Sequence, residues 1–532
     1  MNFRSKGMII LLCLIMVMTS GCALKEETKL PYEGNLDKIK SEIANTNIEI
    51  DVPEINQVKR CRATSYEGKF ELNAVDKSLS GIMDITIVNE TDASIDKLCI
   101  RNYAASILES KNKGRSEIFS VINTVTEEVY TIDVKDDASV VYVNLNTSLE
   151  PNETITISVT FCTDIPRQDY RFGYHQDGER YSFLLTYCFP VLAMYEEGAW
   201  LEYPYISYAE SNFHTPADYK MEIQLPEKYT IAATGEEYIE NNVAFITAES
   251  IRDFACVVSN YMNVSTIIAN DIEVNLYSLD YKNLEGYNEI SLLAGKDSIE
   301  LLEMLVGEYP YKELDIVQCF YLSAMEYPGL VLVGYPDVES PNCIGENSHY
   351  QEVCSRIAHE TAHQWFYAAI GSNCYKEAWL DEGFSEYFEE IIYPLSGCES
   401  VKKAVQHDNA SPTWGYQTEE EKDNFMSGYA EQRPQEQMIN LSYEDYEKEL
   451  YAQYVYDGST SFLHELRKEM GDGIFFRMLQ TYYKMGYMKE VTTKEFITLI
   501  KVYDDSEEIN VIIEKYILLS DLNNVLEMQS KR

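Results

Sequence analysis

The sequence predicts a multidomain α+β protein, an antiparallel β-sandwich-like domain followed by a mainly α-helical one. Three observations predict it: a length of 532 residues, a period-two half and a helix-period half. A chain of that length exceeds one typical domain, and each half is long enough to bury its own core.

From about 60 to 265 apolar and polar residues alternate. Ile155, Ile157, Val159 and Phe161 are interleaved with Thr154, Thr156, Ser158 and Thr160, and Tyr219, Met221, Ile223 and Leu225 with Lys220, Glu222 and Gln224. Such alternation marks strands with one buried face, and the Asn/Gly/Pro/Asp clusters between them are turn chemistry. Beyond about 270 the period changes. In 289–306, Leu293, Leu301, Leu302 and Leu305 fall mostly on one helix face, and 460–470 and 493–501 are also helical in pattern. A strand-like piece, 315–334, interrupts this half, and the domain boundary is expected near 267.

The N-terminus reads as an export signal. Arg4 and Lys6 precede an apolar run from Met8 to Met18, too short to span a bilayer. Thr19-Ser20-Gly21-Cys22 follows and resembles a bacterial lipobox, which makes Cys22 the expected lipidation site. The expected plan is a signal over 1–21, a weakly ordered tether over 22–58, a β-sandwich-like domain over 59–267 and a catalytic domain over 268–532. This places the protein at the cell membrane, lipid-anchored on the extracytoplasmic face. Of the 12 cysteines, ten remain without Cys13 and Cys22, scattered and with no CxxC; Cys256 and Cys319 lie in apolar runs that suit buried thiols. The formal charge of −45 opposes any nucleic-acid partner, because it repels phosphate.

The chemistry is concentrated at 359–363, HETAH, in a stretch without Gly or Pro until Gly371. Two histidines at i and i+4 on one helix face can reach a single ion, so His359 and His363 are metal-ligand candidates. Glu360 is placed as a general base toward water activated at the metal. The third ligand expected of a catalytic zinc is Glu382, with eighteen residues between it and His363. Phe366 and Ala369 stand where a metzincin needs Gly and His, which excludes that class. Phe384, Phe388 and Ile391 are expected on the core face of the helix that starts at Glu382. Glu386, Glu389 and Glu390 are expected on its solvated face.

HETAHQWF, with eighteen residues between its second histidine and a glutamate within WLDEGFSEYF, closely resembles the aminopeptidase N family of zinc metallopeptidases. The resemblance extends to Leu322-Ser323-Ala324-Met325-Glu326-Tyr327-Pro328-Gly329, similar to that family's GAMEN-type segment, with Ser323 and Tyr327 replacing the usual Gly and Asn. It implies a thermolysin-like catalytic domain, one Zn2+ per chain and peptide substrates. It also implies that Glu326 holds the substrate's free α-amino group while the strand containing Ala324 and Met325 pairs with the peptide. Ungapped alignment of 455–470, VYDGSTSFLHELRKEM, implies that Tyr456 stabilises the oxyanion, with Tyr451 and Tyr454 as neighbours that could compete. The glutamine that often assists amine binding in the family has no counterpart in 183–195, and the family's long C-terminal helical domain has no room here. The expected activity is removal of N-terminal residues from peptides outside the cell. The alternatives are a peptide-binding lipoprotein with little catalysis, or an endopeptidase or epoxide hydrolase built on the same site.

Overall fold

The computed structural model describes the chain between residues 36 and 518, apart from short breaks and the two longer stretches 335–345 and 402–437. The signal segment and Cys22 lie outside the described residues. No described helix is long and apolar enough to cross a membrane.

The N-terminal half is a stack of β-sheets. Its largest sheet has seven strands, with Cys61–Asn73 at the centre between Ala217–Gln224, parallel to it, and Ser78–Asn89, antiparallel to it. Alternation in the sequence becomes alternation in burial: Ile157, Val159 and Phe161 point inward from one strand, Tyr219, Met221 and Ile223 from another. They pack against Leu98, Ile100, Val141 and Val143 of a second, four-stranded sheet, which gives the half its own core.

A five-stranded sheet opens the C-terminal half, in the order Met262–Ala269, Ile272–Leu279, Glu313–Cys319, Leu330–Gly334 and Ala324–Tyr327. Residue 267, near which the boundary is expected, lies inside the strand Met262–Ala269. Periodicity could not see this, because the second unit also begins with a β-hairpin and its helical pattern starts only at Glu285–Leu305. Helices Glu346–His363, Glu382–Leu395, Ser459–Met470 and Asp472–Gly486 then pack around Trp365, Phe366, Trp379, Phe384 and Tyr482.

The tether expectation is also corrected in part. Leu36–Asn45 is a helix whose Ile39 and Ile43, one turn apart, are buried against the catalytic core beside helix Asp472–Gly486. Nine described cysteines are free thiols, Cys256 and Cys319 among the buried ones.

Two features lock the halves together. Glu490 receives Arg60 at 2.7 Å and Arg252 at 2.8 Å, both arginines almost wholly buried. Removing one partner from such a group would strand a charge in the interior. Nearby, Glu237 of the seven-stranded sheet faces Glu313 and Asp315 of the five-stranded one. Tyr277 donates to Glu237 at 2.5 Å and Asn275 to Asp315 at 3.1 Å. Glu237 Oε2, Glu313 Oε1 and Asp315 Oδ2 have no partner among the described residues. Burial, then Glu313, pushes the Glu237 carboxyl up to about 8. Burial, then Glu236, pushes Glu313 up to about 7.

Raised folded-state values mean that folding takes up protons at this seam. The seam's contribution is fully present below about pH 4.5, the ordinary value, and is lost as the pH rises through about 8. The urea midpoint of the wild type should fall between about pH 6 and pH 9, and Glu237→Gln, which mimics the protonated carboxyl, should flatten that fall. Parallel curves for the two proteins would contradict the seam's role.

Candidate functional site

His359 and His363 lie one turn apart near the end of helix Glu346–His363, their ring centroids 4.8 Å apart. The chain continues as a fully buried π-helical turn, Gln364–Ala369. Glu382 begins the next functional helix, as its place before Gly383 predicts, with Phe384, Phe388 and Ile391 buried beneath it.

These elements bring three donor atoms together. Glu382 Oε2 lies 3.4 Å from His359 Nε2 and 3.3 Å from His363 Nε2. Ligands at 2.0–2.1 Å from a tetrahedral zinc are separated by about 3.3 Å, so the spacing and chemistry of this set fit that ion. Burial works against ionisation of Glu382, yet hydrogen bonds from the two imidazoles hold it well below the usual carboxylate range. Glu360 is buried, its Oε2 without a partner among the described residues, and burial pushes its carboxyl up to about 7. A base of that strength is matched to neutral pH.

Glu326 lies on Ala324–Tyr327, the last strand of the five-stranded sheet, followed by a turn in which Gly329 takes φ +70°. Carboxylate oxygens of Glu326 and Glu360 and a ring nitrogen of His363 fall within 4.8 Å of one another. Burial and then Glu210 push Glu326 well above the usual range. Ala324 and Met325 pair with Val333 and Leu332 on one side of their strand.

The hydroxyl of Tyr456 donates to Glu382 Oε1 at 2.5 Å, and its ring stacks 6.1 Å from that of His359. Tyr454 is instead buried, stacked on Tyr446 at 6.1 Å, and Tyr451 lies 6.4 Å from Tyr456, ring to ring. Tyr456 sits in a second π-helical turn, Gln453–Gly458. A Cβ on Gly383 would come within 2.2 Å of Ser459 Cβ, so this glycine is what lets the tyrosine segment approach the glutamate helix.

Several participants escape sequence reasoning. Gln364 donates to the Tyr327 carbonyl at 3.2 Å and accepts from the Gly329 amide at 2.8 Å, tying the Glu326 strand to the metal helix. Asp381 holds His363 Nδ1 at 2.5 Å; its place beside Glu382 was the available signal. The solvated-face reading of Glu386, Glu389 and Glu390 is corrected. Glu390 is buried, and Glu386 and Glu389 each lie 3.2 Å from His359 Nδ1, because that face of their helix meets the metal helix rather than water. From the N-terminal half, Glu210 reaches the region in a buried pair with Arg171 at 2.8 Å; Arg171 also donates to the Tyr187 hydroxyl at 3.0 Å, within the stretch that carries no glutamine.

Residues 294–516 match the Peptidase family M1 domain. Over that stretch the chain is similar to that family. It is 27% identical over 163 residues to aminopeptidase N of Mus musculus, 30% of this chain and 15% of that protein. It is 22% identical over 359 residues to aminopeptidase M1 of Arabidopsis thaliana, 65% of this chain and 38% of that protein. The chain thus spans well under half the length of these relatives. Among solved structures, a mutant two-domain M1 zinc metallopeptidase bound to L-arginine superposes with a TM-score of 0.58 at 15% identity. That likeness covers 88% of this chain and 97% of the other. The M1 zinc metallopeptidase from Deinococcus radiodurans gives 0.57 at 14% identity, over 87% and 94%. At these identities the likeness establishes the shared fold. For this chain the donor set predicts one zinc per molecule, measured by elemental analysis after dialysis, and loss of that zinc in His363→Ala. Equal zinc in both proteins would remove His363 from the site.

Proposed function

We propose that the protein is a zinc-dependent aminopeptidase that removes N-terminal residues from peptides. The observation that carries this reading is the convergence of Glu326, Glu360 and His363 within one 4.8 Å group beside the His359–His363–Glu382 donor set. A base, a metal site and an amine anchor then share one buried space.

When bound, zinc supplies a Lewis acid that polarises the scissile carbonyl and makes water a competent nucleophile at neutral pH. Glu360 takes the proton of the attacking water and returns it to the leaving amine. Tyr456, now donating to Glu382, turns its hydroxyl to the oxygen on which charge builds, a contact made chiefly in the transition state. Glu326 accepts hydrogen bonds from the substrate ammonium. Its short, fixed distance from His363 limits cleavage to the first peptide bond. The strand Ala324–Tyr327 presents its outer backbone edge to the peptide. An intact Glu360 disfavours the pure binding alternative, since capture of a peptide requires no base.

The test compares a free peptide with its acetylated form. Removing the ammonium leaves Glu326 unpaired in a desolvated cleft, at a cost of about 1–3 kcal/mol, so free peptides should be preferred by about tenfold or more. Glu326→Ala should erase most of that preference and keep the zinc. Glu360→Gln should keep the zinc and lower turnover by about 10²–10⁴. Equal cleavage of both forms at one internal bond would make the protein an endopeptidase.

The same reading places the protein outside the cytoplasm, anchored by lipid on Cys22. Its support is the basic segment, the apolar run and the small residues before that cysteine. In a bacterium that processes lipoproteins, wild type should enter the detergent phase and Cys22→Ser should not. Identical partitioning would reduce the segment to an ordinary signal.

A further inference from the structure

His359 differs from His363 in what meets the nitrogen turned away from Glu382. His363 Nδ1 has Asp381, while His359 Nδ1 has two carboxylates, Glu386 Oε2 and Glu389 Oε2, both at 3.2 Å. The pair follows from helix spacing: 382, 386 and 389 stand at i, i+4 and i+7, so the face that aims Glu382 at the metal also aims these two at the same imidazole. Glu389 is itself oriented by the hydroxyl of Ser355, one turn before His359 on the metal helix. Neither glutamate has a task in the chemistry described above.

A neutral imidazole that binds metal through Nε2 has one N–H, at Nδ1, to give. Two acceptors sharing one donor hold the ring's orientation, and their charges raise the basicity of the ligating nitrogen. His359, Glu386 and Glu389 also lie close enough to hold an ion of their own. That use would strip the ring of its remaining proton while Nε2 serves the first ion, so the hydrogen-bonded arrangement is the favourable one.

We propose that Glu386 and Glu389 together form a carboxylate clasp on His359 Nδ1–H, and that Glu386 is a positioning residue that sets how tightly the chain retains its zinc. The inference rests on His359 being a zinc ligand; failure of that premise would appear separately, as a wild type with no tight zinc.

The experiment is chelator competition on the full chain, with zinc stoichiometry and apo-protein melting measured alongside. Glu386→Leu, which cannot accept, should weaken zinc binding by about tenfold or more, within the range known for groups that support metal ligands. Glu386→Gln keeps an acceptor without the charge and should fall between the two. Apo-protein melting should not drop in either variant, which separates metal retention from a general loss of structure. Should Glu386→Leu fail to fold, Glu386→Gln and Ser355→Ala carry the test, each expected to weaken zinc several-fold. Zinc affinity within twofold of wild type in the folded Glu386 variants would make this glutamate a bystander. Two zinc equivalents in the wild type that fall to one in the variant would replace the clasp with a second ion site. Either result overturns the proposal.

Discussion

The contact of Glu382 Oε2 with two imidazole nitrogens, at 3.4 and 3.3 Å, is the constraint around which the catalytic half is arranged. Three donors at that separation must come from two helices whose axes, phases and ends all agree. Phe366 stacks on Phe384 at 4.6 Å and fixes the two helices against each other, while Gly383 lets the Tyr456 segment close over them. The cost of gathering so many carboxylates in a dry space is substantial, and a cation at the centre is what offsets it.

The strand that carries Glu326, the proposed amine anchor, is coupled to this centre through one side chain. Gln364 is buried, and both ends of its amide are used, one on the Tyr327 carbonyl and one on the Gly329 amide. The strand carrying Glu326 is thereby registered on the metal helix itself, not merely on the sheet. The N-terminal half shares in the site as well. Glu210 reaches it from the first half, and the buried Arg60–Glu490–Arg252 group holds the halves in one relation.

What was legible in the sequence was local. HETAH places two histidines on one helix face by spacing alone, and Glu382 follows at a fixed offset. Tyr456 was reached by alignment, and the structure puts its hydroxyl on Glu382. Contacts that depend on how two helices meet were not legible. Glu386 and Glu389 looked solvated because Phe384, Phe388 and Ile391 already account for the core face, and periodicity assumes that the opposite face meets water. The position of Glu382 itself was the missed clue: a ligand at one residue implies that residues one and two turns later share its outlook. The seam of Glu237, Glu313 and Asp315 joins strands from different sheets, and no pattern along the chain announces such a meeting. Ile39 and Ile43, in a stretch otherwise rich in charge, were too few to mark a docked helix in advance.

Two wide turns border the site, Gln364–Ala369 after His363 and Gln453–Gly458 around Tyr456. A wide turn accommodates one residue more than an α-helical turn would, and one residue corresponds to about 100° of rotation along a helix. Each turn therefore acts as a phase offset between a site residue, His363 or Tyr456, and the chain that follows it into the core. In genetic terms each turn is equivalent to one extra codon. Deletion of one codon from either would leave composition and hydrophobicity almost untouched while swinging everything downstream out of alignment with the centre.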